Sequence, residues 1–385
     1  MSASAAPDWD PRSPEVLEDQ IAAYDRLRAQ CPVAHSEFLG YSVLGHEDAL
    51  RVLHDPETFS NAVSQRLTVP NGMDPPEHTV YRAVNDRYFT PELMRRFEPV
   101  CREVALSLLQ ELPLHEPVDV IEQLAEVYAL RAQSAFLGWP RELEEPLRAW
   151  TAKNRTATLA QDRPAMKAIA VEFDGYIRQL LQQRREAGHR APKDLTTQLL
   201  HEQVYGRALN DEELVSLLRN WTVGELSTIA ASVGILANFL ATRPEIQTRL
   251  REDPSLIGAA NDEILRAHAP LIANRRVATR DVEVNGRLIP AGERVTVVWA
   301  SANRDESVFG DPDEFRLDRD PGLNLLYGAG IHICPGAPLA RLELRVLVEE
   351  LLKRTSSIAP APGAQAPARA HYPGSGYSTL PLQLD

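Results

Sequence analysis

One stretch, from about Asp211 to Ala241, does most to limit what this chain can become. Asn210 precedes it and Glu213 follows three residues later, a capping-box arrangement that supplies acceptors to the amides the first helical turn leaves unpaired. Pro244 closes it. A helix of that length crosses roughly 45 Å, enough to traverse a domain, so the remaining elements are expected to gather around it.

Apolar residues recur at three- and four-residue steps through Val16–Gln30, Val100–Leu112, Ile121–Leu137 and Phe173–Arg185, which predicts further helices, with another around Leu256–Arg266. No repeat period emerges. The pattern then changes in RRVATRDVEVNGRLIPAGERVTVVWAS, where alternating branched residues flank Asn285-Gly286, a two-residue hairpin signal, and Pro290-Ala291-Gly292 makes a second turn. A loop-rich stretch follows, and the Pro- and Ala-rich tail from Ala359 leads to YSTLPLQL, a last short strand. No linker separates two cored halves. The expected architecture is mainly α with a small β-rich region, one domain over residues 1–385, disordered-like at about residues 1–12.

At 385 residues, 44% apolar and 25% charged, the chain can bury a substantial core. Its net charge of −13, spread along the sequence, argues against broad electrostatic binding to nucleic acid or an anionic membrane, leaving only a local basic patch open. The start, MSASAAPDWDPRSPEVLEDQ, lacks the basic residues and apolar run of a signal peptide, and no uninterrupted apolar segment of about 18 residues appears. A soluble cytoplasmic protein is expected. Cys31, Cys101 and Cys334 form no CxxC and no zinc-like spacing, so neither a disulfide framework nor a structural metal is indicated.

Cys334 stands apart, in YGAGIHICPGAPLARLELRVLVEELL, Tyr327 to Leu352. A thiol at the N-terminal end of a helix feels the positive end of the dipole and unpaired amides, both of which favour thiolate. Pro335 suits a first helical position, and Ala337–Leu352 continues with apolar residues on one face. Gly328, Gly330 and Gly336 let the backbone lie close to a flat ligand or adopt positive φ. A thiolate presented under a planar surface is what an axial heme ligand requires, and its donation into the iron favours O–O cleavage. By itself a lone cysteine before a helix is more often a small buried hydrophobe. The whole string YGAGIHICPG, however, resembles the heme-binding loop of the cytochrome P-450 family, Phe-Gly-x-Gly-x-His-x-Cys-x-Gly, departing only at Tyr327, which keeps an aromatic ring beside the sulfur and adds a hydroxyl that needs a partner.

Other segments agree. In NDEILRAH, Glu263 and Arg266 meet on one helical face and coincide with the family's buried Glu-x-x-Arg lock; its third member is expected from DPDEFRLDR, as Arg316 or Arg319. In MDPPEHTVYR, Asp74 reads as a cap, Pro75 as the first helical residue and Glu77 as the close of a box, which puts His78 and Arg82 one turn apart on one side. The resemblance implies that these two, with Arg276 rather than Arg275, and His332, hold heme propionates. It runs from roughly Ala23 to Pro381 and implies the cytochrome P-450 fold, heme b with iron on the Cys334 sulfur, and a monomeric monooxygenase of the soluble bacterial type that inserts one oxygen from O2 into a small hydrophobic organic substrate, by hydroxylation or oxidative dealkylation. Electrons would come from a separate ferredoxin and ferredoxin reductase, with Arg341 and Arg345 as a basic docking patch.

The long helix departs from the family. Where the family has Ala/Gly-Gly-x-Asp/Glu-Thr, this chain reads VGELST, so aligning on Gly224 puts Leu226 at the acid and Ser227 at the threonine. Asn220, Gly224, Ser227, Thr228 and Ala231 share the face expected to look at the heme, with Glu225 about 100° round from Gly224. Three accounts stay open. Glu225 is a displaced acid working with Ser227 or Thr228 through water; peroxide is the oxidant and brings its own protons; or Glu225 pairs with a neighbouring base as a structural charge. Coupling or rearrangement chemistry on the same fold, and a heme-binding scaffold that no longer oxygenates, complete the alternatives. Substrate contacts implied by the family are Phe59–Met73, Asn220, Trp221, Gly224, Thr228, Leu271–Ala273 and Ser375–Ser378, a mixture that suggests an apolar pocket with polar tethers; residues such as Trp221 and Tyr377 are more often packing residues than recognition elements.

Overall fold

The computed structural model describes residues 8–385, so the first part of the expected disordered-like terminus lies outside the described residues. Residues 8–12 do not match that expectation. Asp8 bonds both ways with the backbone of His35, and its carboxylate also meets Arg287, which ties the chain to a strand at once.

Helix makes up 56% of the chain, as expected of a mainly α fold. The long helix spans Asp211–Ala241, with both halves of the capping box formed by Asn210 and Glu213. It is apolar on nearly all sides because it runs through the core, packed by Glu126–Leu137, Arg163–Ala187, Ile257–His268 and the helix after the cysteine, Ala337–Arg354. One of its 18-residue windows is long and apolar enough to cross a membrane by composition, but 56% of that window is buried in protein.

Other boundaries shift for local reasons. Asp19 breaks the first predicted helix into Pro14–Glu18 and Gln20–Gln30, its side chain capping the second. The helix expected from Val100 starts at Pro91, capped by Thr90, and tolerates Pro99 within it. Ile121–Ala125 is a wider-wound turn ahead of Glu126–Leu137, and the helix expected from Phe173 begins at Arg163. The next expected helix, around Leu256–Arg266, runs Ile257–His268 after a short tight turn. Three helices of nine residues or more, His46–His54, Glu144–Leu159 and Pro244–Glu252, were not anticipated.

The β-rich region is a five-stranded sheet ordered Val33–Ser36, Gly40–Val43, Arg294–Val298, Ala273–Ala278, Phe59–Ser60. Asn285 and Gly286, both at positive φ, turn the hairpin Val282–Val284/Arg287–Ile289 as the sequence predicted. A second sheet joins Ile358–Pro360, Pro381–Leu384 and Pro117–Asp119.

The capping glutamate also takes Arg207 and the Tyr81 hydroxyl, and chiefly the guanidinium holds its carboxyl down to about 2. Because the folded value is depressed, this contribution to stability is present above the ordinary carboxyl value and is lost as pH falls toward 2. Glu213→Gln is therefore expected to be less stable than wild type at neutral pH, with the difference shrinking in acid, as measured by denaturant unfolding across pH.

Candidate functional site

The cysteine loop is built by a sequence of backbone constraints. Gly328 and Gly330 both sit at positive φ, and a Cβ on Gly330 would lie 2.3 Å from the Leu53 carbonyl oxygen, so only glycine lets the loop press on the helix His46–His54. The Cys334 amide closes the turn on the Tyr327 carbonyl at 2.8 Å. The helix begins at Ala337 with Gly336 as its cap, so Pro335 is not the first helical residue; Pro338 occupies the first turn instead. Enclosure by the surrounding protein pushes the Cys334 thiol up and Glu225 adds to the rise, against the amides of Gly336 and Ala337, which pull it down; the side chain itself is exposed to the cavity. A cation at the sulfur would complete the ionisation.

That sulfur opens onto a cavity of about 650 Å³, whose opposite wall is the long helix. Gly224 lies on that wall, and a Cβ added to it would have nothing within 4 Å, which leaves the closest approach to the helix free for a flat group. Asn220, Ser227 and Thr228 line it as expected, whereas Ala231 sets its carbonyl against Gly376 instead. Leu226, which the family pattern places at the acid, is absent from the cavity wall. Ser227 and Thr228 donate to the carbonyls of Val223 and Gly224, which leaves their oxygens as acceptors.

On one side of the cavity sits a cluster of donors short of acceptors. Arg276 is 6% exposed, and its side chain makes one hydrogen bond among the described residues, to the neighbouring Arg275 carbonyl. His332 lines the cavity and His78, which does not, meets it at 4.2 Å between ring centres with the rings tilted by 57°, each with an unpartnered, buried Nε2. Burial, foremost, pushes Arg276 down to about 10 and His332 to about 3; burial and then Arg82 lower His78. Arg82 donates to the carbonyls of Ile331 and Ile333 and pairs with Asp86, bracing the cysteine loop at the cavity edge. Buried donors without acceptors are costly, and one or two carboxylates entering here would satisfy them. Arg275 is exposed and lies on the cavity rim, consistent with the choice of Arg276.

The approach to His78 is not the predicted box. Asp74 receives Ser60 Oγ at 2.5 Å and the Asn61 amide, fixing the loop after Phe59, and the helix starts only at Glu77 with no side-chain cap. The lock behind the cysteine loop is resolved as Glu263, Arg266 and Arg319: Arg319 reaches Glu263 at 3.0 Å, while the Arg316 side chain turns to Asp318 and only its amide touches Glu263.

Arg341 is bound to Asp262 and lies 4.4 Å over the Tyr327 ring, and Arg345 is held by Glu98 and Glu349, so both arginines of the expected docking patch already have acidic partners. One further expectation fails. Ser375–Ser378 do not reach the large cavity; Ser375, Gly376 and Tyr377 border a small separate one beside Asn238, and Tyr372 with Pro373 take their place. Of the other substrate positions, Asn61, Val63, Ser64, Thr68, Asn71, Gly72 and Leu271–Ala273 line the cavity. Trp221 lines it too, anchored by its Nε1 to Asn85 and packed on Phe89.

Glu225 touches the cavity, yet its carboxyl faces another acid, Glu343, rather than a base, which removes the account of a structural ion pair. Glu343 was missed: in the sequence it is one more glutamate on an amphipathic helix.

A sulfur facing a large cavity, with one buried guanidinium and two histidine nitrogens short of partners to one side, fits a heme bound through thiolate. The chain indeed belongs to the cytochrome P450 family. The family model described as Cytochrome P450 matches residues 148–372. A curated relative, Cytochrome P450 109 of Bacillus spizizenii, is 32% identical over 87% of this chain and 84% of its own length. Erythromycin C-12 hydroxylase of Saccharopolyspora erythraea is 33% identical over 88% of each chain. A crystal structure of a Bacillus megaterium cytochrome P450 in complex with testosterone superposes with a TM-score of 0.84 at 27% identity, covering 98% of this chain and 100% of that one. Family and relatives together make this chain a cytochrome P450 monooxygenase.

Proposed function

We propose that this protein holds heme b through Cys334 and hydroxylates, or oxidatively dealkylates, a small hydrophobic organic substrate, using electrons from a separate ferredoxin and its reductase. The observation that carries the reading is the Cys334 sulfur opening onto the cavity together with the unsatisfied donors of Arg276, His78 and His332. Bound there, heme supplies the activation of O2 and the transfer of one oxygen atom. The protein's own part is to hold, exclude and protonate. Arg276, His78 and His332 take the propionates, and Arg82 keeps the cysteine loop in register. Tyr327 and Phe89 flank the loop and limit water near the sulfur. Val63, Phe136, Leu271 and Ile272 supply apolar wall, while Asn61, Thr68 and Asn220 give orienting contacts, a mixture suited to a largely apolar ligand with a few oxygens. The relatives named for a macrolide and found with a steroid support that class. One domain, working as a cytoplasmic monomer, completes the proposal.

Ligand screening for a spin-state shift of the purified pigment tests the substrate class; steroids and macrolides are expected among those that shift it. Turnover is expected with a surrogate ferredoxin and reductase and to be weaker with peroxide; the reverse order would assign the peroxide-driven alternative. Thr228→Ala combined with Ser227→Ala is expected to lower product per NAD(P)H consumed by about tenfold, with substrate binding retained. An unchanged ratio would remove both hydroxyls from the proton path.

A further inference from the structure

We propose that Glu343 keeps a proton throughout and donates it as a hydrogen bond to Glu225, so that Glu225 can ionise inside the protein and pass protons into the cavity. Only the use made of those protons rests on the oxygenase reading; the pair itself does not.

Glu343, on the helix after the cysteine, is fully buried, and neither of its carboxyl oxygens meets a donor among the described residues. Glu225, on the long helix, is 9% exposed with Oε1 likewise unpartnered, and the two carboxyl groups lie close enough to act on one another with no donor between them. Two carboxylates pressed together out of water cannot both carry charge, so at least one proton sits between them.

The surroundings assign that proton. Around Glu343 stand Cys101 from Pro91–Glu111 and Tyr128 from Glu126–Leu137. The Tyr128 hydroxyl donates to the Glu343 backbone carbonyl at 2.8 Å and lies 3.2 Å from the Cys101 sulfur, so it gives the carboxyl nothing. Arg102 and Arg345 act on Cys101 from a distance but are paired with Glu98, Glu349 and Glu350. Glu225 feels Glu343 and, more remotely, Cys334, Tyr327 and Tyr128. No cation among the described residues pairs with either carboxyl. Glu343, enclosed on every side, is the member held neutral; Glu225, on the cavity wall, is the member that exchanges.

Gln133 supplies an independent sign that this corner handles a mobile polar group. It is 2% exposed, its Oε1 has no partner among the described residues, and it lines the same cavity as Glu225, an acceptor open to a water molecule there. The step is a proton transfer alone. Glu225 takes a proton from cavity water and hands it to an oxygen acceptor there; its carboxylate is then stabilised by the Glu343 O–H, and the pair never reaches two negative charges. Glu343 is a positioning residue in this scheme.

The test is infrared difference spectroscopy of the holoenzyme across about pH 5–9, on wild type and on Glu225→Gln, Glu343→Gln and Glu343→Leu. Wild type is expected to show one protonated-carboxyl stretch that persists at every pH and a second that titrates. Glu225→Gln should remove only the titrating band and lower the product-forming rate by about a hundredfold. Glu343→Gln, whose amide can still donate, should keep Glu225 titrating and stay near wild-type turnover. Glu343→Leu should hold Glu225 protonated across the range and fall to the level of Glu225→Gln. Absence of the persistent band in wild type, or its survival in Glu343→Gln, overturns the proposal, and so does equal behaviour of the two Glu343 variants. Should Glu343→Leu not fold, the bands of wild type and the two Gln variants still decide. The carbon monoxide difference band, measured on the same samples, reports the oxygenase reading separately.

Discussion

Cys334→Ser protein is expected to lose the red-shifted carbon monoxide difference band of a thiolate-bound heme and, with it, all measurable oxygenation. The reasoning is electronic rather than steric. Serine is close to cysteine in size, and the turn that presents residue 334 is made by Gly328, Gly330 and the Tyr327 carbonyl, none of which the exchange touches. The pocket for the cofactor should therefore survive, held by Arg276, His78 and His332, and pigment should still bind, if less tightly. What disappears is the donation from sulfur that promotes O–O cleavage. A variant that kept the wild-type spectrum would show that another group binds the iron and would sink the assignment of the site.

Arg266→Ala is expected to be the most damaging change away from the cavity, at about 3–5 kcal/mol, a large share of the roughly 5–15 kcal/mol that holds a typical protein folded. Arg266 is 1% exposed. Its guanidinium grips both oxygens of Glu263 and the carbonyls of Asn303 and Pro312, and it lies 4.9 Å over the Phe309 ring. Truncation leaves those carbonyls buried without donors and a hole the size of the side chain. Arg319 remains on Glu263, so the acid is not abandoned, and the cost should be smaller in Arg266→Ala than in Arg266→Ala/Arg319→Ala. Denaturant midpoints of the two, together with heme retention on gel filtration, check this. A loss under about 1 kcal/mol would mean the triad behaves like a surface ion pair.

Much of this was legible in the sequence because the signals were local. Asn210 with Glu213, Asn285-Gly286 and the Gly-rich run before Cys334 each impose their geometry on immediate neighbours, and each did so. Asp74 misled for the opposite reason: it has the chemistry of a cap, but a partner from another segment, Ser60, competes for the same oxygen and wins. Arg316 and Arg319 are equivalent in sequence, and only the path of the loop across Glu263 separates them. Arg341 and Arg345 look available on a helical face until the acids of other helices, Asp262 and Glu98, are seen beside them. Glu343 could not be recognised without Glu225, because what makes it unusual is the company of a second acid, more than a hundred positions away in the chain.

The contact of Gly330 with Leu53, and that of Arg82 with Ile331 across 249 residues, set an order of assembly. Contacts so distant along the chain form late and slowly, after loop closure has been overcome. The long helix and its neighbours precede Cys334 in the chain by about a hundred residues, so on the proposed reading they can form before the sulfur that would hold the iron is in place, and the fit of the cysteine loop against Leu53 and Arg82 would come together with pigment binding.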